Sequence, residues 1–170
     1  MTYYLRCTEE EEYAQVSLFA LKNRHELHRA FGTVDMVTLL YDYMTLGHLL
    51  YIADEDRRVI GVTAYYHGTP EADFRDKEVA HAEIAILDRA YRGTRQFLKG
   101  LNFLVEEIMK THPEVQDLRF TAFSENKYLC RLYSKFSKIS HTREGLLGEE
   151  TIFSVNVYQL RTSLDTVYKV

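Results

Sequence analysis

A nearly continuous apolar run, "VAHAEIAIL" (79–87), limits the possible folds more than any other feature of the sequence. A strand of this composition is typical of a sheet that is covered on both faces. One carboxylate, Glu83, interrupts the run, and simple alternation places it on the same face as His81, Ala85 and Leu87. A lone carboxylate there is unfavourable unless it is paired or protonated. Glu83 is therefore either a functional carboxylate or an edge residue that meets solvent.

A basic corner follows this strand. Three arginines, Arg89, Arg92 and Arg95, surround Gly93 just before a helical pattern, although the chain as a whole has a net charge of -4. The first amides of a helix lack internal acceptors and bind phosphate readily, and a glycine permits close approach or a positive φ. The corner is either an ordinary solvated turn or a local site for a negatively charged group.

Hydrophobic periodicity and turn signals predict the remaining elements. Helices are predicted at about 9–28, 34–45, 95–110 and 125–136. Strands are predicted at 2–7, 49–53, 59–66, 79–87, 117–123 and 151–160, with one more near 138–142. No internal repeat or linker interrupts this pattern. The sequence thus predicts one domain over residues 1–170, of the α/β (α+β) class, with a mixed sheet and helices on both faces.

Composition narrows the class of protein. Hydrophobic residues make up 46% and charged residues 27% of the 170 residues, as in soluble globular proteins. The acidic balance argues against a general nucleic-acid binder, and no apolar run has the length of a membrane span. The N-terminus lacks the features of a signal peptide, and Cys7 and Cys130 do not make a disulfide framework. We expect a cytoplasmic protein with no nucleic-acid or membrane partner.

Two segments resemble motifs of the GNAT acyltransferase superfamily, and the resemblance covers about residues 48–160. The turn "YRGTRQF" (91–97) is similar to Y-R-G-x-G-x-G, although Arg95 and Phe97 replace the two later small residues. The segment "ENKYLCRLYSKF" (125–136) is similar to N-x-x-x-x-x-L-Y-x-K-x-G-F. Its matching positions are Asn126, Leu132, Tyr133 and Lys135. The resemblance implies the GNAT fold, a mixed, mostly antiparallel central sheet flanked by helices on both faces.

The resemblance also implies acetyl-CoA as the cosubstrate and no metal. The backbone of Ile86 and Leu87 is expected to pair with the pantetheine arm, in a gap between strands 79–87 and 117–123. Asn126 either hydrogen-bonds the pantetheine or caps its own helix. The cofactor-binding residues implied in this way are Ile86, Leu87, Arg92, Gly93, Thr94, Arg95, Gln96, Phe97 and Asn126.

By the same resemblance, Glu83 and Tyr133 are the expected catalytic residues. Glu83 would take the proton of the attacking amine, directly or through water, with His81 as its partner or as an alternative base. Tyr133 would protonate the departing thiolate, or else it is a core tyrosine on an amphipathic helix. The amide of Leu87 would polarise the thioester carbonyl. The implied activity is acetyl transfer from acetyl-CoA to a primary amine by direct attack.

The sequence leaves two other functions open. The departures at Arg95 and Phe97 are also compatible with a non-catalytic GNAT-like protein that binds CoA as a sensor, or only scaffolds a partner. An unrelated α/β nucleotide-binding module would need a parallel sheet and a fuller glycine loop, and the hairpin predicted at 48–66 argues against it.

The acceptor is a small-molecule or peptide amine that the sequence does not identify. The first two helices and the loop at 68–78 are expected to shape its pocket. The basic segment "KNRHELHRAF" (22–31) is either exposed helix surface or part of a site for an acidic substrate. His25 and His28 lie one helical turn apart without a third ligand, so we expect solvated side chains rather than a metal pair. The strand predicted at 151–160, together with the tail, could make a dimer contact.

Overall fold

The structure is a computed structural model that describes residues 1–168. In that range one sheet contains β1 (Tyr3–Arg6), β2 (His48–Ala53), β3 (Val59–His67), β4 (Val79–Leu87), β5 (Asp117–Phe123), β6 (Lys138–Gly145) and β7 (Gly148–Asn156). Their spatial order is β1-β2-β3-β4-β5-β7-β6. Neighbouring strands are antiparallel except β4 and β5, which run parallel. The mixed, mostly antiparallel sheet implied by the resemblance is therefore confirmed.

Helices cover both faces of this sheet. They are α1 (Glu10–Lys22), α2 (Thr33–Leu46), α3 (Gln96–Thr111), α4 (Lys127–Ser134) and α5 (Val157–Tyr168). Adjacent residues of a strand point to opposite faces. Tyr66 of β3 stacks on Tyr43 of α2, with ring centroids 4.2 Å apart, whereas the hydroxyl of Tyr65 lies 3.2 Å from Nε2 of His112, directly after α3. The two helices α2 and α3 thus lie on opposite faces.

The burial pattern of α3 explains why it packs where it does. Its apolar side chains recur three and four residues apart, the spacing of one helical face. The buried members of that face are Leu101, Leu104, Val105 and Ile108. Across the helices of residues 1–168, none combines the length and the apolar character that crossing a membrane requires.

The first helix is shorter than predicted. It ends at Lys22 rather than at His28, and a 3-10 turn at Arg24–Glu26 follows. The side-chain amide of Asn23 donates to the carbonyl oxygen of Phe19 at 2.9 Å, a local hydrogen bond that competes with continuation of the helix. The observed limits of α2, α3 and α4 lie within two residues of the predicted ones.

The late strand is also shorter than predicted, because a helix that we did not predict follows it. β7 ends at Asn156, not at residue 160. The Oδ1 atom of Asn156 accepts hydrogen bonds from the amides of Tyr158 and Gln159, at 3.0 and 3.1 Å, which is the capping pattern that begins α5. β7 lies between β5 and β6. The strand predicted as a dimer contact therefore has no free backbone edge, and the homodimer stays a prediction.

Two irregularities of β4 position the candidate site. β4 pairs with β5 from Val79 to Ala82, and the pairing ends there. From Glu83 to Leu87 the strand therefore has backbone groups on this side that β5 does not reach. β4 also contains a bulge, because Ala82 pairs with Tyr65 and the residue two positions later, Ile84, pairs with Ala64.

Candidate active site

The bulge makes Glu83 the extra residue of β4. A bulge of this kind breaks the alternation of side chains and redirects the bulged one. Glu83 lines a cavity shared with α2, whereas Ala85 and Leu87 line a cavity shared with α3. Simple alternation, which placed all three on one face, is therefore wrong at this point. The amide of Glu83 donates a hydrogen bond to the hydroxyl oxygen of Tyr43, at 3.1 Å.

The cavity beside Glu83, called here the acidic cavity, has a volume of about 310 Å³. Its lining residues are Leu27, Phe31, Asp35, Thr38, Leu39, Asp42, Glu83, Thr121, Ala122, Phe123, Leu129, Leu146, Leu147 and Glu150. The helix α2 contributes to it, and α1 does not. The loop at 68–78 does not, and the turn between β6 and β7 takes its place. Of the segment 22–31 only the apolar Leu27 and Phe31 line the cavity, so this cavity has no basic wall.

Burial makes Glu83 a weaker acid than an exposed glutamate. Desolvation raises its pKa to about 7; the charge of Arg143 opposes this effect, and the charges of Glu150 and Glu71 add to it. The carboxylate makes no hydrogen bond or ion pair with any other residue of 1–168. A carboxyl group with a pKa near neutrality can accept a proton at physiological pH, which is what a general base requires.

His81 does not pair with Glu83. Its Nε2 atom lies 2.5 Å from Oγ1 of Thr121, and its Nδ1 atom is buried without a partner in the described chain. Burial lowers the pKa of His81 to about 4, so the ring is neutral at pH 7. Its observed role is to bridge β4 and β5 just before the two strands separate.

A second cavity, called here the sheet cavity, lies between β4, α3 and α4 and has a volume of about 70 Å³. Ile86, Leu87 and Tyr133 line it. The ring of Tyr133 is fully buried and stacks on Phe120, with centroids 4.8 Å apart. Its hydroxyl has no hydrogen-bond partner within residues 1–168, and burial raises its pKa above the usual value. Leu129 lines both cavities, so the two cavities lie on either side of this side chain.

The corner between β4 and α3 exposes backbone amides. Gly93 has a φ of +76°, and Gly93, Thr94 and Arg95 are all exposed. The amide of Gln96 donates to Oγ1 of Thr94 at 3.2 Å. The amides of Gly93, Thr94, Arg95 and Phe97 have no acceptor in the part of the chain that the structure describes. Free donors at a helix start are suited to an anion.

The two large side chains that depart from the family motif differ in their surroundings. Phe97 is half-buried and packs against Ile52, Ile60 and Leu87. Its bulk therefore points into the hydrophobic interior instead of over the exposed amides. Arg95 is exposed and forms no ion pair with another residue of the described range.

The sequence did not point to Glu26, whose carboxylate forms ion pairs with two of the three arginines. Its carboxylate pairs with Arg89 at 2.8 Å and with Arg92 at 2.6 Å. Burial opposes its ionisation, but the hydrogen bonds from both arginines outweigh that effect and lower its pKa. The guanidinium of Arg92 also lies over the ring of Tyr128, 4.4 Å from the centroid. No local signal indicates this pair, because more than sixty positions separate Glu26 from Arg92 along the chain.

Asn126 has a capping role. Its Oδ1 atom accepts from the amide of Leu129 at 3.2 Å, and its Nδ2 atom donates to the carbonyl oxygens of Glu26 and Leu27. The helix-capping alternative is thus present, and contact with pantetheine stays a prediction. His28 is buried and pairs with Glu125 at 2.8 Å, so the expectation of a solvated His28 is wrong.

Searches against known proteins give a likeness of structure but none of sequence. No sequence-family profile and no curated protein matches the chain. Aminoglycoside acetyltransferase AAC(6')-Ib, solved with coenzyme A and kanamycin, is 15% identical with a TM-score of 0.72, covering 96% of this chain and 99% of that one. A GNAT-family acetyltransferase from Staphylococcus aureus Mu50 is 9% identical with a TM-score of 0.67, covering 92% and 99%.

A third solved structure is the ribosomal-protein-S5-alanine acetyltransferase from Vibrio fischeri. It is 13% identical to this chain with a TM-score of 0.63, and the match covers 92% of this chain and 96% of the other. At sequence identities this low, a structural likeness shows the fold alone. The arrangement of strands and helices, together with these matches over nearly whole chains, confirms the resemblance at that level: this chain has the fold of the GNAT acetyltransferases.

Proposed function

We propose that this chain is an acyl-CoA-dependent N-acetyltransferase that acts on a primary amine. The observation that carries the proposal is the position of Leu129, which lines both cavities. A proton acceptor, Glu83, lies in one cavity, and a proton donor, Tyr133, lies in the other. Acyl transfer from a thioester to an amine needs a base for the amine and an acid for the departing sulfur.

The residues of the corner fit an acyl-CoA. The free amides of Gly93, Thr94, Arg95 and Phe97 are suited to the diphosphate, and the exposed guanidinium of Arg95 adds positive charge. β4 beyond Ala82 offers unpaired backbone groups to the pantetheine arm. Acetyl-CoA, when bound, supplies the acetyl group as an activated thioester.

Each step of the transfer can be assigned to a residue of this chain. As the amine nitrogen bonds to the carbonyl carbon and the carbon–sulfur bond breaks, Glu83 accepts the proton that the nitrogen loses, directly or through water. Tyr133 gives its hydroxyl proton to the departing sulfur. The amide of Leu87 donates to the carbonyl oxygen, where negative charge develops. Glu83 then loses its proton to solvent and Tyr133 regains one, so the products are an N-acetylated amine and the free thiol.

The structural neighbours support the general reaction. The names of two of them include an aminoglycoside and a ribosomal protein as acetylated groups, and one was solved with coenzyme A. These are the substrates of the two neighbouring proteins. For this chain they support transfer to an amine, while the acceptor has to be inferred from its own cavity.

Titration of acetyl-CoA by calorimetry, followed by thiol-release assays with a panel of primary amines, tests the proposal. We expect binding and amine-dependent release of the thiol. A protein that does not bind acetyl-CoA would overturn the proposal, and so would one that binds it but acetylates no amine.

A CoA sensor without catalysis is the second candidate. It is favoured by the ion pair between Arg92 and Glu26, because Arg92 is one of the residues that the resemblance implies for binding CoA. The same titration separates the two functions. The sensor requires binding of acetyl-CoA with no thiol release, whereas the enzyme requires both binding and release.

A further inference from the structure

We propose that the acceptor is a small di- or polyamine, whose distal ammonium group is held by one of the two carboxylates of α2, Asp42 or Asp35, while its reactive amine lies at Glu83. The inference rests on the proposed N-acetyltransferase activity and names the substrate class of the same site. It is drawn from the charge, the shape and the walls of the acidic cavity.

The charge of the acidic cavity is strongly one-sided. Four carboxylate side chains line it, namely Asp35, Asp42, Glu83 and Glu150. No lysine, arginine or histidine from the described residues 1–168 is among its lining residues. A concave surface lined by one sign of charge attracts molecules of the opposite sign. A cationic acceptor is therefore favoured, and an anionic one is repelled.

Other groups of the protein satisfy only part of this negative charge. Glu150 lies 3.6 Å from Arg143, but the same guanidinium also binds Glu71 at the shorter distance of 2.6 Å. Asp42 and Glu83 have no side-chain hydrogen bond or ion pair with any residue of the described chain. Since Glu83 is also largely buried, a carboxylate without a partner is aimed into a preformed cavity. An ammonium group is the partner that such a cavity lacks.

The spacing of the carboxylates suits a molecule with two separated amines. Asp35 and Asp42 are seven residues apart and both line the cavity, so they lie on one face of α2, about 10 Å apart along the helix axis. Asp42 is close enough to Glu83 for its charge to raise the pKa of that carboxyl. An extended diamine can therefore reach from a reactive amine at Glu83 to a carboxylate of α2.

The other walls of the cavity are apolar. Phe31, Phe123 and Leu147 contribute to them. Such walls suit the methylene chain between two amines, since they remove apolar surface from water. The aromatic faces add a weak attraction for ammonium. A short peptide with polar backbone groups would find fewer partners there, so the cavity favours an alkyl spacer.

Three acceptors that differ only at the distal end test this inference. They are 1,6-diaminohexane, n-hexylamine and 6-aminohexanoate, whose distal groups are cationic, neutral and anionic. We expect kcat/KM with acetyl-CoA to be at least about tenfold higher for the diamine than for hexylamine, and lowest for the carboxylate. Equal rates for the three acceptors would overturn the diamine inference and leave the N-acetyltransferase proposal standing.

Asp42→Asn and Asp35→Asn locate the distal site. The variant at the carboxylate that the distal ammonium reaches should raise KM for the diamine by about fivefold relative to KM for hexylamine, the upper range for a partly exposed ion pair. Asp165→Asn, a change at an exposed residue of α5, is the matched control and should alter neither value. A thermal unfolding scan checks that each variant is folded. If KM rises equally for both amines, the carboxylates do not select the distal charge and the inference fails.

Direct binding separates this inference from the proposed activity. Calorimetry with 1,6-diaminohexane and hexylamine, in the presence of CoA, needs no turnover. If the diamine binds more tightly than hexylamine and Asp42→Asn removes this difference, the inference is supported even when no acetyl transfer is detected. Failure of transfer alone would overturn the proposed function. Equal binding of the two amines would overturn the substrate class.

Discussion

The hydroxyl of Tyr43 accepts a hydrogen bond from the backbone amide of Glu83 at 3.1 Å, so a residue of α2 holds the bulge of β4. Tyr43 is fully buried and stacks on Tyr66, which fixes its ring by packing. The direction of the Glu83 side chain therefore depends on the same helix that lines the acidic cavity. The candidate base and the α2 wall of the acidic cavity are parts of one packed unit.

Tyr43→Phe should loosen this unit without removing its aromatic packing. The amide of Glu83 then loses its acceptor, and we expect the free energy of unfolding to fall by about 1–2 kcal/mol. The turnover number should fall by about tenfold, because the base is no longer held in place, while affinity for acetyl-CoA stays unchanged. Urea unfolding and steady-state kinetics measure the two effects. Tyr158→Phe, at an exposed residue of α5, is the control. Unchanged turnover in Tyr43→Phe would show that the bond does not position the base.

The pH dependence of the rate should report the ionisation of Glu83. Its pKa is raised to about 7 by burial, and only the deprotonated carboxylate can accept the proton of the amine. We therefore expect kcat/KM to rise with pH to a midpoint near 7. Glu83→Gln should lower the rate by roughly 100-fold and remove this limb from the remaining activity. If the limb persists in Glu83→Gln, another group is the base.

The same shift predicts how Glu83 affects stability. The pKa of this carboxyl is higher in the folded protein than in the unfolded chain, so the folded state binds more protons between about pH 4.5 and 7. The contribution of Glu83 to stability is thus fully present below pH 4.5 and is lost as the pH rises through 7. Glu83→Gln should be more stable than the wild type above pH 7, by at most about 3 kcal/mol.

Urea unfolding curves of the wild type and of Glu83→Gln, measured over a series of pH values, isolate the contribution of Glu83 to stability. All other groups are common to the two proteins, so their contributions cancel in the difference. A difference in stability that does not grow between pH 4.5 and 7 would mean that Glu83 is ionised at its ordinary pKa in the folded protein.

Tyr133→Phe tests the proposed acid. The hydroxyl has no partner in residues 1–168, so its removal leaves no other protein group unpaired, and stability should change by less than about 1 kcal/mol. We expect kcat to fall by roughly 100-fold with little change in the dissociation constant of acetyl-CoA. Calorimetry and thiol release provide these values. An unchanged kcat would remove Tyr133 from the reaction.

Gly93→Ala tests the corner. The position has a φ of +76°, so a side chain is strained there by about 1 kcal/mol even though no atom lies within 4 Å of the added methyl group. Because the strain shifts the neighbouring amides, we expect the dissociation constant of acetyl-CoA to rise by about tenfold.

Gly148→Ala is the matched control for the corner. Its φ is +127°, and its added methyl group also meets open space, but it is the first residue of β7, directly after the turn from β6. It should lower the free energy of unfolding without weakening the binding of acetyl-CoA. Equal loss of affinity in the two variants would indicate a general effect of strain, and the corner would not be the binding site.

Much of the fold could be predicted from local patterns. The limits of β4 and β5 coincide with the predicted ones, and β4 was recognisable because a strand covered on both faces is apolar over most of its length. The errors occurred where one side chain overrides the pattern. Asn23 ends α1 early, and Asn156 starts α5 in the middle of a β-like run.

The sequence by itself determined that a carboxylate lies inside a buried strand and that a glycine with basic neighbours precedes a helix, because both are features of adjacent residues. Only the tertiary structure decided what these features face. The bulge that turns Glu83 toward α2 depends on Tyr43, forty positions earlier, and the carboxylate that holds Arg92 belongs to Glu26. Charge pairs and cavities form between elements that are distant along the chain, so packing, and not local pattern, brought the four carboxylates of the acidic cavity together.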